Sequence, residues 1–194
     1  AGPVVRLRPY PTLVVCARHE QVHAVLNDHT TFISGAGVGL ANFNRETPFR
    51  PRSLILEADP PLHTQTRAIL SRILSPKAVM QVRATFTEVA EAMVERCVAK
   101  GRICGIHDLA QIYPLKVFPD AVGLEDDGRE NLLLYGDLIF NSIGPRNELL
   151  ARSAERVGPV TEWIMAHCRR EHLRPGGFGD QIWQAADAGE ITHG

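Results

Sequence analysis

Two short stretches hold residues whose types and spacing could do chemistry. The first is His19-Glu20-Gln21-Val22-His23. Histidines at i and i+4 share one face of a helix, so His19 and His23 could ligate zinc while Glu20 served as the general base of a metallopeptidase. His29 falls where a third ligand would lie, but Leu26 stands where the chain-turning glycine is needed and no methionine turn follows. The second stretch is Leu54-Ile-Leu-Glu-Ala-Asp-Pro-Pro-Leu-His-Thr-Gln-Thr-Arg67. Behind its Asp-Pro-Pro helix start, His63 and Arg67 are i and i+4, so both donors project from one face and could clamp an anion with charge-assisted hydrogen bonds. Two further groupings carry less. Gly35-Ala-Gly-Val-Gly39 has the glycine density of a phosphate loop, but Leu40 occupies the final glycine position of a dinucleotide fingerprint, and no strand or helix adjoins it. His167-Cys168 with His172 could be part of a metal site, yet on a long amphipathic helix such residues more often pack or face solvent.

The elements that must position these residues are mostly helical. Tyr10–Cys16 is an apolar, β-branched run after a turn and is the one convincing strand. Val22, Val25 and Leu26 recur at helical spacing over Glu20–Asn27, and Thr30–Ser53, with its glycines, asparagines and prolines, is a long loop of the kind that usually has a function. Asp59 caps a helix expected over Pro60–Leu74, and Ser75-Pro76 starts another. In that second helix Val79, Val82, Phe86, Val89, Met93 and Cys97 form one stripe that Gly101 ends. Asp108 is expected to cap a helix through Leu115; further helices are expected over Asp127–Ile143, over Asn147–His172 with an interruption or kink at Gly158-Pro159, and over Asp180–Ala186 after the turn Arg174–Gly179. The class is mainly α with a minor β element.

Composition sets bounds. The 194 residues are 44% hydrophobic, with 21 basic and 22 acidic side chains, which gives no electrostatic case for nucleic acid or an anionic membrane. No apolar run approaches the roughly 18 residues that span a bilayer, and the first residues lack the apolar core of a signal peptide, so the expected location is cytoplasmic. Cys16, Cys97, Cys104 and Cys168 are widely spaced, as free core thiols are, and do not form a disulfide or zinc framework.

Glu57-Ala-Asp-Pro-Pro-Leu-His-Thr-Gln-Thr-Arg67, followed by Leu74-Ser-Pro76, resembles the C-helix region of bacterial cytochromes P450, whose pattern is Asp-Pro-Pro-x-His-x-x-x-Arg. The resemblance implies that His63 and Arg67 hold the propionates of haem (iron protoporphyrin IX). Ala17–Asp28 is similar to the B helix of that family, which makes the zinc motif a coincidence, and Thr30–Ser53 to the B–C loop that walls the substrate pocket. The likeness continues through Phe118-Pro-Asp-Ala-Val-Gly-Leu124 and Arg174-Pro-Gly-Gly-Phe-Gly179.

Within the family the chain most resembles the CYP199 class, which oxidises para-substituted benzoic acids such as 4-methoxybenzoate. Phe49-Arg-Pro-Arg-Ser-Leu-Ile-Leu56 is similar to its aromatic-Arg-Pro-Pro-Ser motif. By that likeness Arg50 and Ser53 bind the substrate carboxylate, while Ile55, Leu56, Phe140 and Ile143 face its ring. Arg52 stands where the motif has proline, adding a charge near the pocket mouth, and Ile143 where an aromatic is usual. The resemblance implies the N-terminal part of one P450 domain over 1–194, from the B helix to the H helix region. The I helix, the K helix and the Phe-Gly-x-Gly-x-His-x-Cys haem-thiolate loop are not in this segment, so no catalytic residue or iron ligand is expected in it. It also implies a monooxygenase, O-demethylating or hydroxylating its substrate, that uses O2 and electrons from an iron–sulfur (2Fe-2S) ferredoxin and its reductase, with Arg67, Arg72 and Lys77 as candidates for the docking face; the alternatives are the zinc metallopeptidase and a non-catalytic helical fragment.

Overall fold

The computed structural model describes residues 2–8, 10–48 and 50–192; Ala1, Pro9, Phe49, His193 and Gly194 lie outside the described residues. Its packing divides the chain into two units, residues 1–63 and 64–194. Among the described residues no helix is long and apolar enough to cross a membrane.

The first unit opens with an antiparallel pair, β1 (Val4–Leu7) and β2 (Tyr10–Cys16), in which Val4 faces Cys16 and Arg6 faces Val14 before the register slips at Leu7. The sequence reading found β2 and missed β1. Four residues are too few to show an alternating pattern, and only the ladder with β2 makes them a strand. α1 (His19–Asn27) follows. Asp28 ends it: its carboxylate accepts from Thr31 N (3.0 Å) and Thr30 Oγ1 (2.7 Å). Hydrogen bonding from the Thr31 side chain first, then from the Thr30 side chain and the Thr31 N–H, pulls its pKa down to about 2. Between Asp28 and the next helix the described residues contain neither helix nor strand, as the loop expectation requires.

α2 spans Leu62–Ile73. It begins two residues later than expected because Asp59 is not its side-chain cap. The Asp59 carboxylate turns instead to Ser34 N (2.8 Å) and Gly35 N (2.9 Å), and only its main-chain carbonyl accepts from His63 N (3.1 Å).

In the second unit α3 (Pro76–Lys100) has the expected signals at both ends: Ser75 Oγ accepts from Ala78 N, and Gly101 is left-handed at φ 70°. Met93 and Cys97 of its stripe are buried, Val82, Phe86 and Val89 half-buried, and Val79 exposed. Asp108 caps no helix. It reaches back to accept from Cys104 N (2.7 Å) and Lys100 Nζ (2.9 Å), which hold its carboxyl below the usual range and close a π-helical turn over Gly105–Ala110. α4 (Ile112–Val122) then contains Pro119, and Tyr113 donates to the carbonyl of Phe86 on α3 (3.1 Å).

α5 runs from Asn131 to Ile143, four residues short of its expected start. Gly128 breaks the run at φ 75°, and a Cβ there would lie 2.4 Å from Trp163 Nε1. The long helix expected over Asn147–His172 is two, α6 (Glu148–Arg156) and α7 (Gly158–His167), followed by a 3-10 turn at Arg170–His172, because Pro159 begins a new helix more readily than it continues an old one. Asn141 Nδ2 donates to Ser153 Oγ (2.8 Å), fastening α5 to α6. α8 (Phe178–Asp187) begins two residues before the expected Asp180. Its Ala185 packs with Ile69 and Ile73 of α2, with Phe178, Ile182 and Ile191 around them.

The cap of α6 gives a test of these local rules. Asn147 Oδ1 accepts from Leu149 N (3.0 Å) and Leu150 N (3.2 Å). Asn147→Ala should lower stability by about 1 kcal/mol and Asn147→Asp should retain it. Urea unfolding of the intact protein measures both, and equal loss in the two variants would contradict the capping role.

Candidate functional site

The sequence-predicted substrate residues of the first unit do come together, on a residue the sequence reading passed over. Glu57 follows three apolar residues, and its side chain is fully buried. A carboxylate removed from water must be hydrogen-bonded or neutralised. Glu57 is both. Arg50 Nη2 donates to Oε1 (2.7 Å) and Nη1 to Oε2 (2.9 Å), a bidentate pair in which the arginine side chain is 15% exposed. Ser53 N donates to the same Oε2 (2.8 Å). Chiefly through the Arg50 hydrogen bonds, the Glu57 carboxyl is held below its ordinary value of 4.5, so it is ionised at neutral pH.

The turn that carries these groups follows from Ser53. Glu57 N donates to Ser53 O (2.9 Å), closing one helical turn, and Ser53 Oγ accepts from Ile55 N (3.3 Å) and Leu56 N (3.1 Å). This is capping-box logic with the acid one residue further along: serine caps the turn, and glutamate reaches back to the serine N–H. A hydroxyl that accepts twice still has its own proton to donate. Ile55 is half-buried and Leu56 exposed in the same turn.

The loop around this turn is tied by two more charges. Arg52 donates to Gly35 O (2.8 Å), Phe43 O (2.8 Å) and Asn44 Oδ1 (3.0 Å). The charge expected at the pocket mouth is therefore a staple for the loop. Asp59 holds the N–H groups of Ser34 and Gly35, so the glycine-rich turn does bind an anion, but one supplied by the chain itself. The Phe43 ring lies 5.9 Å from Arg50 Cζ. Phe49, first residue of the aromatic-Arg-Pro motif, lies outside the described residues.

His63 and Arg67 stand four residues apart on α2, and the helix alone sets them on one face. His63 is half-buried and Arg67 exposed; among the described residues neither side chain has a hydrogen-bond or ion-pair partner. Two nitrogen donors left unpaired on one helix face have the chemistry that a pair of carboxylates requires. In the second unit Phe140, on α5, is 77% exposed and Ile143 42% exposed. Arg72 is engaged by Glu190 (2.6 Å), both at the surface.

The zinc motif is placed on α1 as expected, with the His19 and His23 rings 5.7 Å apart. No third ligand joins them: among the described residues no three His, Cys, Asp or Glu side chains are grouped to hold a metal. His167 stacks on Trp163 with ring centroids 3.9 Å apart, and its Nδ1 lies 2.8 Å from the Trp163 carbonyl, so it packs in the way the bland alternative requires.

Among known proteins, no protein-family model matches the chain. Individual sequences do. Cytochrome p450 CYP199A2 of Rhodopseudomonas palustris is 51% identical over 99% of this chain and 47% of its own length. Cytochrome P450 109 of Bacillus spizizenii is 27% identical over 63% of this chain and 27% of its own length. A steroid C26-monooxygenase of Rhodococcus jostii is 24% identical over 93% of this chain and 44% of its own length. The chain thus spans about half the length of the Rhodopseudomonas palustris protein, and its helix-rich, strand-poor architecture is consistent with an incomplete P450 fold. Over almost its whole length the chain is similar to a cytochrome P450, and over parts of it to others of that family.

Proposed function

We propose that this chain supplies one wall of the substrate pocket and the propionate-binding face of a haem monooxygenase acting on para-substituted benzoic acids. The observation that carries the substrate side is the cradle around Glu57: a carboxylate is already held there by Arg50 and by the Ser53 main chain, so these residues have the geometry of carboxylate recognition. The Ser53 hydroxyl, polarised by the two N–H groups it accepts, donates to the substrate carboxylate beside Arg50. Ile55, Leu56, Phe140 and Ile143 supply apolar surface for the ring, and an anion held at one end of an apolar slot fixes which ring position is presented for oxidation.

Haem, when bound, supplies dioxygen activation, with a cysteine thiolate pushing electron density toward O–O cleavage. Its two propionates are the carboxylates that the unpaired His63 and Arg67 fit. None of Cys16, Cys97, Cys104 and Cys168 has the Phe-Gly-x-Gly-x-His-x-Cys surroundings of the family's haem-thiolate loop. The proposal therefore places the thiolate in the part of the relatives' length that this chain does not span. Electrons come from a 2Fe-2S ferredoxin and its reductase, with Lys77 as a charge for its docking; of the other two candidates, Arg72 is paired with Glu190 and Arg67 is taken by a propionate. The zinc-peptidase alternative has no observation in its favour beyond the motif itself.

Reduced and treated with CO, the intact haem-loaded protein should show the Soret band of a thiolate-ligated haem; a histidine-type band would refute the assignment. Arg67→Ala should lose haem to an apo-globin acceptor about tenfold faster, the loss expected for one charge-assisted hydrogen bond. Unchanged transfer in both Arg67→Ala and His63→Ala would remove the propionate role. Arg50→Ala should weaken 4-methoxybenzoate binding at least about tenfold while barely changing that of its methyl ester. Equal losses would sink the carboxylate reading.

A further inference from the structure

The Arg50–Glu57 pair poses a question of charge. An arginine placed to attract an anion would be most effective alone, yet here its guanidinium is gripped bidentately by a carboxylate with no exposed surface. The two charges cancel within one hydrogen-bonded unit. Nearby, Asp59 is held by the N–H groups of Ser34 and Gly35, and Arg52 by three neutral oxygens, so two cations and two anions lie between residues 50 and 59.

We propose that Glu57 is a specificity-determining residue of the substrate site: by neutralising Arg50 while holding it in place, it sets how strongly the site prefers an anionic ligand over a neutral one of the same shape. With the pair intact, a substrate carboxylate meets directed donors and little net charge. Discrimination then rests on hydrogen-bond geometry around Ser53 and Arg50, and binding energy is kept moderate enough for product to leave. Without the Glu57 charge, Arg50 loses the carboxylate that neutralises it bidentately, and any other carboxylate that reaches it is bound more strongly. This inference rests on the carboxylate-binding reading given above.

Calorimetric titration of the intact protein with 4-methoxybenzoate and with its methyl ester tests both ideas separately. Glu57→Gln should bind the carboxylate about tenfold more tightly, bind the ester within about twofold of the parent, and show a steeper loss of carboxylate affinity with added salt. A purely structural role for Glu57 would change both ligands alike and leave the salt dependence unmoved; that result overturns the inference. Should Glu57→Gln fail to fold, Arg50→Met is compared with Arg50→Met/Glu57→Met, since replacing a whole buried pair by apolar residues is far better tolerated than removing one partner. The single variant leaves the Glu57 carboxylate beside the site without its counter-charge and should lose roughly tenfold more carboxylate affinity than the double; equal losses again overturn the role of Glu57. A parent protein that binds acid and ester equally refutes the carboxylate site itself. A parent that prefers the acid, with the preference unaltered in Glu57→Gln, refutes only the part given to Glu57.

Discussion

A carboxylate that has left water must be met by donors the protein provides, and the first unit is arranged around that requirement at Glu57. Arg50 gives two hydrogen bonds and the Ser53 amide a third, and in giving them both residues are fixed in position. Breaking such a pair from one side costs about 3–5 kcal/mol, because the remaining charge stays buried. The turn from Ser53 to Glu57 is short and has no strand or full helix to brace it, so the ion pair and the serine cap define its shape. What the residues can bind follows from that shape.

The same solution recurs nearby. Asp59, which could have capped α2, binds two amides of the glycine-rich turn, and Arg52 takes the carbonyl of one of the same residues. A segment without regular secondary structure is thereby held by side chains, each charge meeting backbone dipoles or an opposite charge. This is how a loop can be both irregular and ordered. Helices in the second unit rely on other means: caps at Ser75 and Asn147, a left-handed Gly101, and a core at Ile69, Ile73 and Ala185.

The residues differ in how far their roles could be read without coordinates. Caps and stripes act within a few positions, so α3 and its ends were readable, as were the pairing of His63 with Arg67 on one helix face and the loop character of residues 30–53. Roles set by distant partners were not. Asp59 looked like a helix cap because its true partners lie more than twenty residues away. Arg52 looked like a free charge because its partners lie eight to seventeen residues back, beyond the reach of local rules. β1 needs β2 to exist, and the start of α5 is displaced by Gly128 under Trp163. Glu57 could have been noticed: an acid in the apolar run Leu54-Ile-Leu-Glu-Ala, four residues after a capping serine, demands a buried partner. The motif view favoured Arg50 and Ser53 and missed the group that joins them.

Gly35 has a further consequence when the two ties that meet on it are considered as rings. Asp59 closes the chain on Gly35 across 24 positions, and Arg52 closes it again across 17. The cost of closing a ring grows only with the logarithm of its length, so once the smaller ring is made, the larger needs little more than the span from Arg52 to Asp59 to be ordered. The nested closures therefore support each other, and the loop has few ways to come apart piecemeal. A side chain at position 35 would place its Cβ 2.7 Å from the Asp59 carboxylate and unfasten the outer ring first. Opening of this loop is then expected to be concerted, with the amides of Ser34 and Gly35 exchanging with solvent at a common rate.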